Sequence, residues 1–286
     1  MAKSRKPESS EPSGKPFKKT PFRKPVKATS KLEGGFKLQH QSSPAGEVTW
    51  PMRLNKYVAH CGVCSRRDAA ELVKKGEIYV NGQKVTEPFV LVNEADKVTY
   101  LGKPIRPESR RVYLLLNKPK GVITTVEDER GRRTVLDLVK PKVRERIFPV
   151  GRLDRDTTGL LLLTNDGDLA KKLSHPSHKV AKVYYAVLDR PFTRDDMAKV
   201  KAGLELEDGI AEVDDIQFIN GEDSGEVALE LHSGRNRIVR RIFEQLGYQI
   251  QKLDRVYYGG LTKKDLPRGK FRYLTDREVI MLRHFT

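Results

Sequence analysis

One loop of this chain concentrates the side chains that could carry chemistry. Within residues 147–168, an apolar run that ends at Gly151 is followed by a polar turn and a second apolar run over 160–163. Two short apolar runs bounded by turn residues predict two buried strands. A carboxylate held at the edge of such a sheet can act as a nucleophile or a stabilising anion, although a lone loop Asp is more often a cap or a solvated charge. The charged side chains of this loop are Arg152, Asp154, Arg155 and Asp156.

A second cluster, Lys182-Val183-Tyr184-Tyr185, lies in a predicted strand. Side chains alternate between the two faces of a strand, so Tyr184 and Tyr185 point in opposite directions and only one of them can line a given pocket. Taken alone, each of them is an ordinary half-buried strand tyrosine. An aromatic ring in a pocket can stack on a flat ligand, and this strand offers one.

A third cluster is the arginine-rich segment 234–241. Apolar residues recur there at helical spacing and form one stripe, which leaves the basic residues on the opposite side of the predicted helix. For Arg241 we favour the ordinary interpretation of a solvated charge. The stripe comprises Ile238, Val239, Ile242, Phe243 and Leu246, and the basic side comprises Arg237, Arg240 and Arg241.

These three clusters occur together in one known family. The string Gly-Arg-Leu-Asp-Arg-Asp-Thr-Thr-Gly over residues 151–159 resembles the signature loop of pseudouridine synthases, in which the Asp is the catalytic nucleophile. The resemblance implies that Asp154 is the nucleophile and that Arg240 is the cation paired with it. It also implies that Tyr184 stacks on the base and accepts a proton.

The resemblance extends from Met52 to the C-terminus and includes residues 116–121 and 252–256. One departure is Ile238, which stands where many relatives carry Gln. Isomerisation of uridine to pseudouridine neither adds nor removes atoms, so it needs no redox cofactor, no metal and no nucleotide. It needs an extruded base and one ionised carboxylate beside a fixed cation. The sequence contains neither a phosphate-binding Gly-rich loop nor a zinc-ligand pattern, and we expect no cofactor and no metal.

The composition points to a polyanionic partner. The 286 residues carry a formal charge of +17, so nucleic acid is expected before an acidic membrane surface. No apolar run approaches the roughly 20 residues that span a bilayer, and no membrane association is expected. The two cysteines, Cys61 and Cys64, are too few for a disulfide framework and favour a reducing, cytoplasmic compartment.

Residues 1–50 form a basic, low-complexity tail with 11 Lys and Arg against 4 Asp and Glu. Such a segment has too few large apolar groups to offset the entropy of ordering, so we predict that it is disordered. A polybasic arm that follows RNA phosphates and a solubilising extension both fit this composition, and the sequence leaves the choice open.

Residues 51–108 predict a small domain with two helices and a hairpin. Ser65 can cap the second helix, Gly76 ends it, and Asn81-Gly82 is a strong hairpin signal. The pattern resembles an S4-type RNA-binding domain, which implies binding of structured RNA through shape and phosphate contacts. The residues predicted to contact RNA are Arg53, Lys56, Arg66, Arg67 and Lys74 here, with Arg152 and Arg237 further along the chain.

Residues 109–286 mix strands and helices without regular β-α-β alternation. Hairpin-length gaps between strands favour an α+β domain with a mostly antiparallel mixed sheet flanked by helices. A capping box of Thr275 and Glu278 marks the last helix. The predicted helices are 168–174, 193–202, 237–246 and 275–282; the predicted strands are 111–116, 121–125, 146–150, 160–164, 182–188, 213–219 and 227–231.

Taken together, these features resemble an RsuA/RluB-type pseudouridine synthase with an S4-like domain. The expected partner is ribosomal RNA, either large-subunit rRNA or an assembly particle, with small-subunit rRNA as the alternative. A non-catalytic RNA-binding assembly factor with an inactive synthase fold is the competing hypothesis, whereas a DNA-binding protein has only the net charge in its favour. A monomer is expected, while the modified uridine and the choice between attack on the sugar and attack on the base ring stay open.

Overall fold

The structure, a computed structural model, describes residues 49–221 and 224–284. The tail for which disorder is predicted, residues 1–50, lies outside the described residues apart from its last two. Within the described ranges, no helix has the length and apolar character needed to cross a membrane.

The described part of the chain contains six α-helices and seventeen strands, most of them short. The helices are α1 (Leu54–His60), α2 (Arg66–Lys74), α3 (Gly167–Ser174), α4 (Arg194–Ala202), α5 (Ile238–Gln245) and α6 (Asp276–Arg283). The strands are β1 (Met52–Arg53), β2 (Ile78–Val80), β3 (Gln83–Val85), β4 (Leu91–Val92), β5 (Val98–Tyr100), β6 (Lys103–Pro104), β7 (Tyr113–Lys118), β8 (Phe148–Pro149), β9 (Thr158–Thr164), β10 (Lys182–Leu188), β11 (Leu204–Leu206), β12 (Gly209–Ala211), β13 (Asp215–Phe218), β14 (Glu226–Leu231), β15 (Ile250–Tyr258), β16 (Leu261–Thr262) and β17 (Phe271–Tyr273).

A nine-stranded sheet forms the centre of the carboxy-terminal domain, the described residues from 109 onward. Seven strands follow the order β13-β14-β10-β15-β9-β7-β17, while β8 pairs with β9 and β16 pairs with β15. Every pair is antiparallel except β15 with β9, so the predicted α+β class with a mostly antiparallel mixed sheet is confirmed. The continuous apolar run of β9 is buried on both faces, with Leu160 and Leu162 in one core cluster and Leu161 and Leu163 in another.

The parallel contact between β9 and β15 depends on Gly159. This residue has a φ of +114°, and a Cβ on it would lie 2.3 Å from the carbonyl oxygen and 2.5 Å from the amide nitrogen of Arg255. A side chain here would push the two strands apart. The glycine of the signature loop therefore lets the loop before β9 lie against the middle of the sheet.

The amino-terminal module, residues 49–108, contains α1, α2 and the four-stranded sheet β3-β2-β5-β6. The Ser65 hydroxyl accepts a hydrogen bond from the amide of Asp68 at 3.2 Å, which confirms the predicted cap of α2. The predicted hairpin joins β2 to β3 through Asn81 and Gly82, both at positive φ. The module has its own apolar core, which includes Leu54, Tyr57, Val58, Ala69, Val73, Ile78, Val92 and Val98.

Polar contacts join this module to the carboxy-terminal domain. Lys56 Nζ donates to both carboxylate oxygens of Asp168 at 2.9 Å. The amide of Glu108 donates to the carbonyl of His60 at 2.9 Å, and the Asn165 side-chain amide donates to Glu108 Oε2 at 2.9 Å. These contacts hold α1 against the first turn of α3.

The predicted helices of the carboxy-terminal domain are confirmed within one residue at each end, and the capping box of Thr275 and Glu278 is formed. Two strand predictions are wrong in extent. Residues 121–125 form only one isolated bridge, and 146–150 shrink to the two residues of β8. The Thr124 hydroxyl instead donates to the carbonyl of Leu153 at 2.8 Å, so this segment supports the loop before β9.

Candidate active site

A cavity of about 880 Å³ opens beside the middle of the large sheet. Its walls include residues 150–154 and Thr157, side chains of β10 and β15, and the start of α5. Asp154, Tyr184 and Arg240, the three residues predicted to carry the chemistry, all line it. The fold thus brings together three side chains that are far apart in the sequence.

A buried lysine holds the backbone that directly follows Asp154. Lys118, the last residue of β7, is fully buried, and its ammonium donates to the carbonyls of Pro119, Arg155 and Thr157 at 3.2, 3.2 and 2.8 Å. Burial lowers the pKa of Lys118 to about 8, while the charge of Asp154 opposes that shift. An ammonium has three donors, and Lys118 uses two of them on the Asp154 loop and the third on the residue that follows β7.

Two arginines flank the carboxylate of Asp154. Arg240 Nε and Arg237 Nη1 each lie 3.7 Å from Asp154 Oδ2. These separations are too long for hydrogen bonds, so the attraction is electrostatic and the carboxylate oxygens stay open to another partner. The Asp154 side chain is 37% exposed and that of Arg240 only 14%, so the cation is the less hydrated member of the pair.

The backbone conformation at the start of α5 determines where these two arginines lie. Arg237, which precedes the helix, has a φ of 48°, a left-handed conformation that non-glycine residues adopt infrequently. The apolar stripe that follows is buried, as predicted, and anchors the helix on the sheet. With the stripe anchored, Arg240 turns toward Asp154, whereas Arg241 bonds to Asp208 and is not a free solvated charge.

Tyr184 faces the cavity, and its neighbour Tyr185 lies near Glu226 and Asp254 instead. This arrangement confirms that only one of the two tyrosines lines the pocket. Directly across from Tyr184, on β15, is Arg255.

A bulge in β15 shapes the cavity floor. Lys182 pairs with Tyr258 and Tyr184 pairs with Arg255, so Val256 is the extra residue. The bulge places Arg255 and Tyr258, three positions apart, on the same face as Tyr184.

Lys182 forms part of this floor. Its ammonium donates to the carbonyls of Val180 and His232 at 2.8 and 2.7 Å. Burial, and after it the positive charge of Arg255, lowers the pKa of Lys182 to about 8, against the charge of Asp214. Cations thus crowd this side of the cavity.

Arg255 is a pocket residue for which the sequence predicts no role. It lies in the segment 252–256 that takes part in the family resemblance, and that is the one signal that points to it. Its side chain is 3% exposed, Nε donates to the carbonyl of Leu160 at 2.8 Å, and the guanidinium lies 4.7 Å from the ring centre of Tyr258.

The residues predicted to contact RNA fall into two groups. Arg152 and Arg237 are exposed at the cavity, beside Asp154. The others lie on the amino-terminal module, away from the cavity lining. These are Arg53, Lys56, Arg66, Arg67 and Lys74.

Two of the module residues already have carboxylate partners. Lys74 Nζ lies 2.8 Å from Glu71, and Lys56 Nζ lies 2.9 Å from Asp168 of the other domain. Lys56 therefore has a structural contact besides the predicted one with RNA. Arg53, Arg66 and Arg67 are exposed, and the guanidinium of Arg53 lies 5.3 Å from the Phe89 ring.

No metal site forms within residues 49–221 and 224–284, where no three His, Cys, Asp or Glu side chains converge. The C-x-x-C pair follows α1 as free thiols. Burial raises the pKa of Cys61 to about 12 and raises that of Cys64, so both thiols are poor sources of the thiolate that binds metals.

Comparison with known proteins assigns both parts of the chain to known families. The model of the RNA pseudouridylate synthase family matches residues 112–245, and the S4 domain model matches residues 52–98. Among solved structures, one titled "Crystal structure of pseudouridylate synthase" is 27% identical with a TM-score of 0.59. The match covers 81% of this chain and 99% of that one.

Two curated relatives match over most of their length. "Ribosomal large subunit pseudouridine synthase B" of Bacillus subtilis is 42% identical over 81% of this chain and 95% of the relative. "Dual-specificity RNA pseudouridine synthase RluF" of Escherichia coli is 34% identical over 81% of this chain and 78% of the relative.

Proposed function

Because this chain belongs to the RNA pseudouridylate synthase family, we propose that it isomerises a uridine of large-subunit ribosomal RNA with Asp154 as the nucleophile. The observation that carries the proposal is the position of Asp154, in an open cavity between two arginines that leave its oxygens unbonded. The large subunit is proposed because the 42% identical relative is named for it.

The reaction exchanges one bond for another. Asp154 attacks either C1′ of the sugar or C6 of the uracil, and the N1–C1′ bond breaks with its electron pair left on the uracil. The uracil turns, C5 bonds to C1′, and Asp154 is released. C5 then loses a proton and N1 gains one, so substrate and product have the same composition.

The neighbouring side chains serve this sequence of steps. Arg240 and Arg237 keep Asp154 ionised and oriented without blocking its oxygens, since both stay 3.7 Å away. Tyr184 provides the ring on which the extruded uracil stacks, and its hydroxyl is the acceptor for the C5 proton. The floor of the cavity is built from buried residues, among them Arg255 and Tyr258, and electrostatic contacts are stronger in such surroundings.

The amino-terminal module binds the RNA outside the active site. Its exposed arginines face solvent, as phosphate contacts require, and its ion pair with Asp168 ties it to the catalytic domain. The proposed substrate also carries the expectation of a cytoplasmic location.

The test is pseudouridine mapping across both ribosomal RNAs in cells with the wild-type chain, without it, or with Asp154→Asn. We expect one large-subunit uridine to lose its modification in the last two strains, because the amide is isosteric but is no nucleophile. In a single-turnover assay the loss should be at least about 10⁴-fold.

The matched control is Asp156→Asn, two residues away in the same loop. Asp156 is half exposed and pairs loosely with Arg155, so its variant should keep the modification. Retained modification in Asp154→Asn would refute the nucleophile, and a change confined to small-subunit RNA would refute the large-subunit assignment.

A further inference from the structure

Several buried polar groups around the cavity have no partner. Of the six buried side-chain nitrogen and oxygen atoms that lack a hydrogen bond among the described residues, three belong to residues that line this cavity: Thr157 Oγ1, Arg240 Nε and Arg255 Nη2. Buried polar atoms are nearly always bonded in folded proteins, so such a concentration marks a place where a ligand completes the bonding.

Of these three residues, Arg255 has the greatest need for a hydrogen-bond acceptor. Its side chain is 97% buried, yet within the described residues its one hydrogen bond runs from Nε to Leu160, and no carboxylate forms an ion pair with it. A buried guanidinium without a counter-charge is costly unless it meets an acceptor. Lys182 lines the same cavity and is close enough to feel the charge of Arg255, and this second cation makes the need for an electron-rich partner greater.

The register of the sheet defines where that partner must lie. Arg255 is directly opposite Tyr184 on the same face, and side chains at such positions start about 5 Å apart. A uracil stacked on Tyr184 therefore has Arg255 as a cross-strand neighbour of its stacking partner. Phosphates have other partners, because the exposed Arg152 and Arg237 stand at the rim of the cavity.

Resting on the proposed function, we infer that Arg255 donates a hydrogen bond to a carbonyl oxygen of the extruded uracil and stabilises the negative charge that develops there. When Asp154 attacks the sugar, the electron pair of the N1–C1′ bond stays on the uracil and spreads to its carbonyl oxygens. When Asp154 adds to C6, the ring π electrons move toward C5 and the C4 oxygen. Both routes place anionic charge on a carbonyl oxygen, so Arg255 serves either one.

The experiment is a single-turnover assay on an rRNA stem-loop transcript that carries the mapped uridine. Arg255→Met should slow conversion about 100-fold, since one preorganised donor to a developing oxyanion is worth about that much, with RNA affinity within about twofold. Arg255→Lys keeps a cation with fewer donors and should lose about tenfold. The matched control is Arg190→Met, because Arg190 also stacks on a tyrosine, at 4.3 Å from Tyr248, but lies outside the cavity.

A second arm identifies the oxygen and excludes a purely structural role. The transcript is prepared with sulfur in place of the uracil oxygen at position 2 or at position 4, which weakens acceptance of a hydrogen bond. We expect one of the two replacements to slow the wild type by at least about threefold more than it slows the Arg255 variants. If Arg255→Met misfolds in a melting experiment, Arg255→Lys carries the same comparison.

The outcomes separate the two proposals. If Asp154→Asn is inactive while Arg255→Met converts the transcript at the wild-type rate, the inference falls and the proposed function stands. Equal sulfur effects in wild type and variants at both positions also overturn the inference. If the wild-type chain converts no uridine, the proposed function fails and takes the inference with it.

Discussion

Two aspartates near α5 are each flanked by two arginines, but the two clusters are built differently. Asp208 bonds directly to Arg235, and it accepts from both Nη atoms of Arg241 at 2.7 and 3.0 Å. Asp154 has Arg237 and Arg240 at 3.7 Å and no hydrogen bond from either. The first cluster is closed, with the carboxylate saturated, and the second is open.

The difference follows from where the partner groups are tied. Arg235 also donates to the carbonyls of Gly209 and Ile210 in the β11–β12 turn, so backbone and side chain hold it against Asp208. These bonds, with those of Arg241, hold the pKa of Asp208 far below its usual range. In the open cluster, Arg237 is drawn instead toward Glu244, at 3.4 Å. A carboxylate whose oxygens already accept hydrogen bonds stabilises the local structure, whereas one that is only flanked by positive charge is free to react.

Of the changes to the two clusters, removal of a cation from the open cluster should lower the reaction rate most. Arg240→Met should lower the single-turnover rate about 100-fold with little change in RNA affinity, because Asp154 loses its less hydrated counter-charge. The matched control is the adjacent Arg241→Met, which touches only the closed cluster and should keep the rate within a few-fold. If both variants lost activity to a similar extent, the proposal that only the open cluster takes part in the reaction would be wrong.

The charge of Lys182 should produce a smaller, pH-dependent effect. Its pKa of about 8 means that the ammonium is charged below pH 8 and neutral above it. Because a cation on the cavity floor favours charge on the uracil, the wild-type rate should fall several-fold as the pH rises through 8. Lys182→Met should be slower at pH 7 and should have a shallower descending limb, because Lys118, whose pKa is also about 8, still loses its charge in this range. A variant whose profile still follows that of the wild type would assign the limb to another group.

Opening the closed cluster should affect stability and leave the chemistry intact. Asp208→Asn should lower the Tm by a few degrees, because two arginines lose their shared anion, while the rate stays within about twofold. Asp154→Asn should show the reverse, with an unchanged Tm and no product. Loss of activity in Asp208→Asn without a change in Tm would mean that this cluster also reaches the substrate.

Local features of the fold were accessible to prediction because their causes are local. The apolar stripe of α5, the Ser65 cap and the Asn81-Gly82 turn each involve residues within a few positions of one another, and all three appear in the structure. The strand β15 was missed, because Lys252, Asp254 and Arg255 interrupt its apolar pattern. The partners of its charged side chains lie elsewhere in the chain; Asp254, for example, pairs with Lys263 and Arg268.

The amino-acid sequence was sufficient to identify the family, the loop that carries Asp154 and the candidate side chains, because a long motif can be recognised from the order of its residue types. Helical spacing alone put Arg240 and Arg241 on the same basic side, and only the family resemblance pointed to Arg240 as the partner of Asp154. The bond of Arg241 to Asp208 was not predictable, because it forms only when α5 packs beside the β11–β12 turn. Nor could the sequence reveal Arg255 as a buried cation opposite Tyr184. That position depends on the register of β10 with β15, on the bulge at Val256 and on the close approach at Gly159, all of which are set by pairing between distant segments.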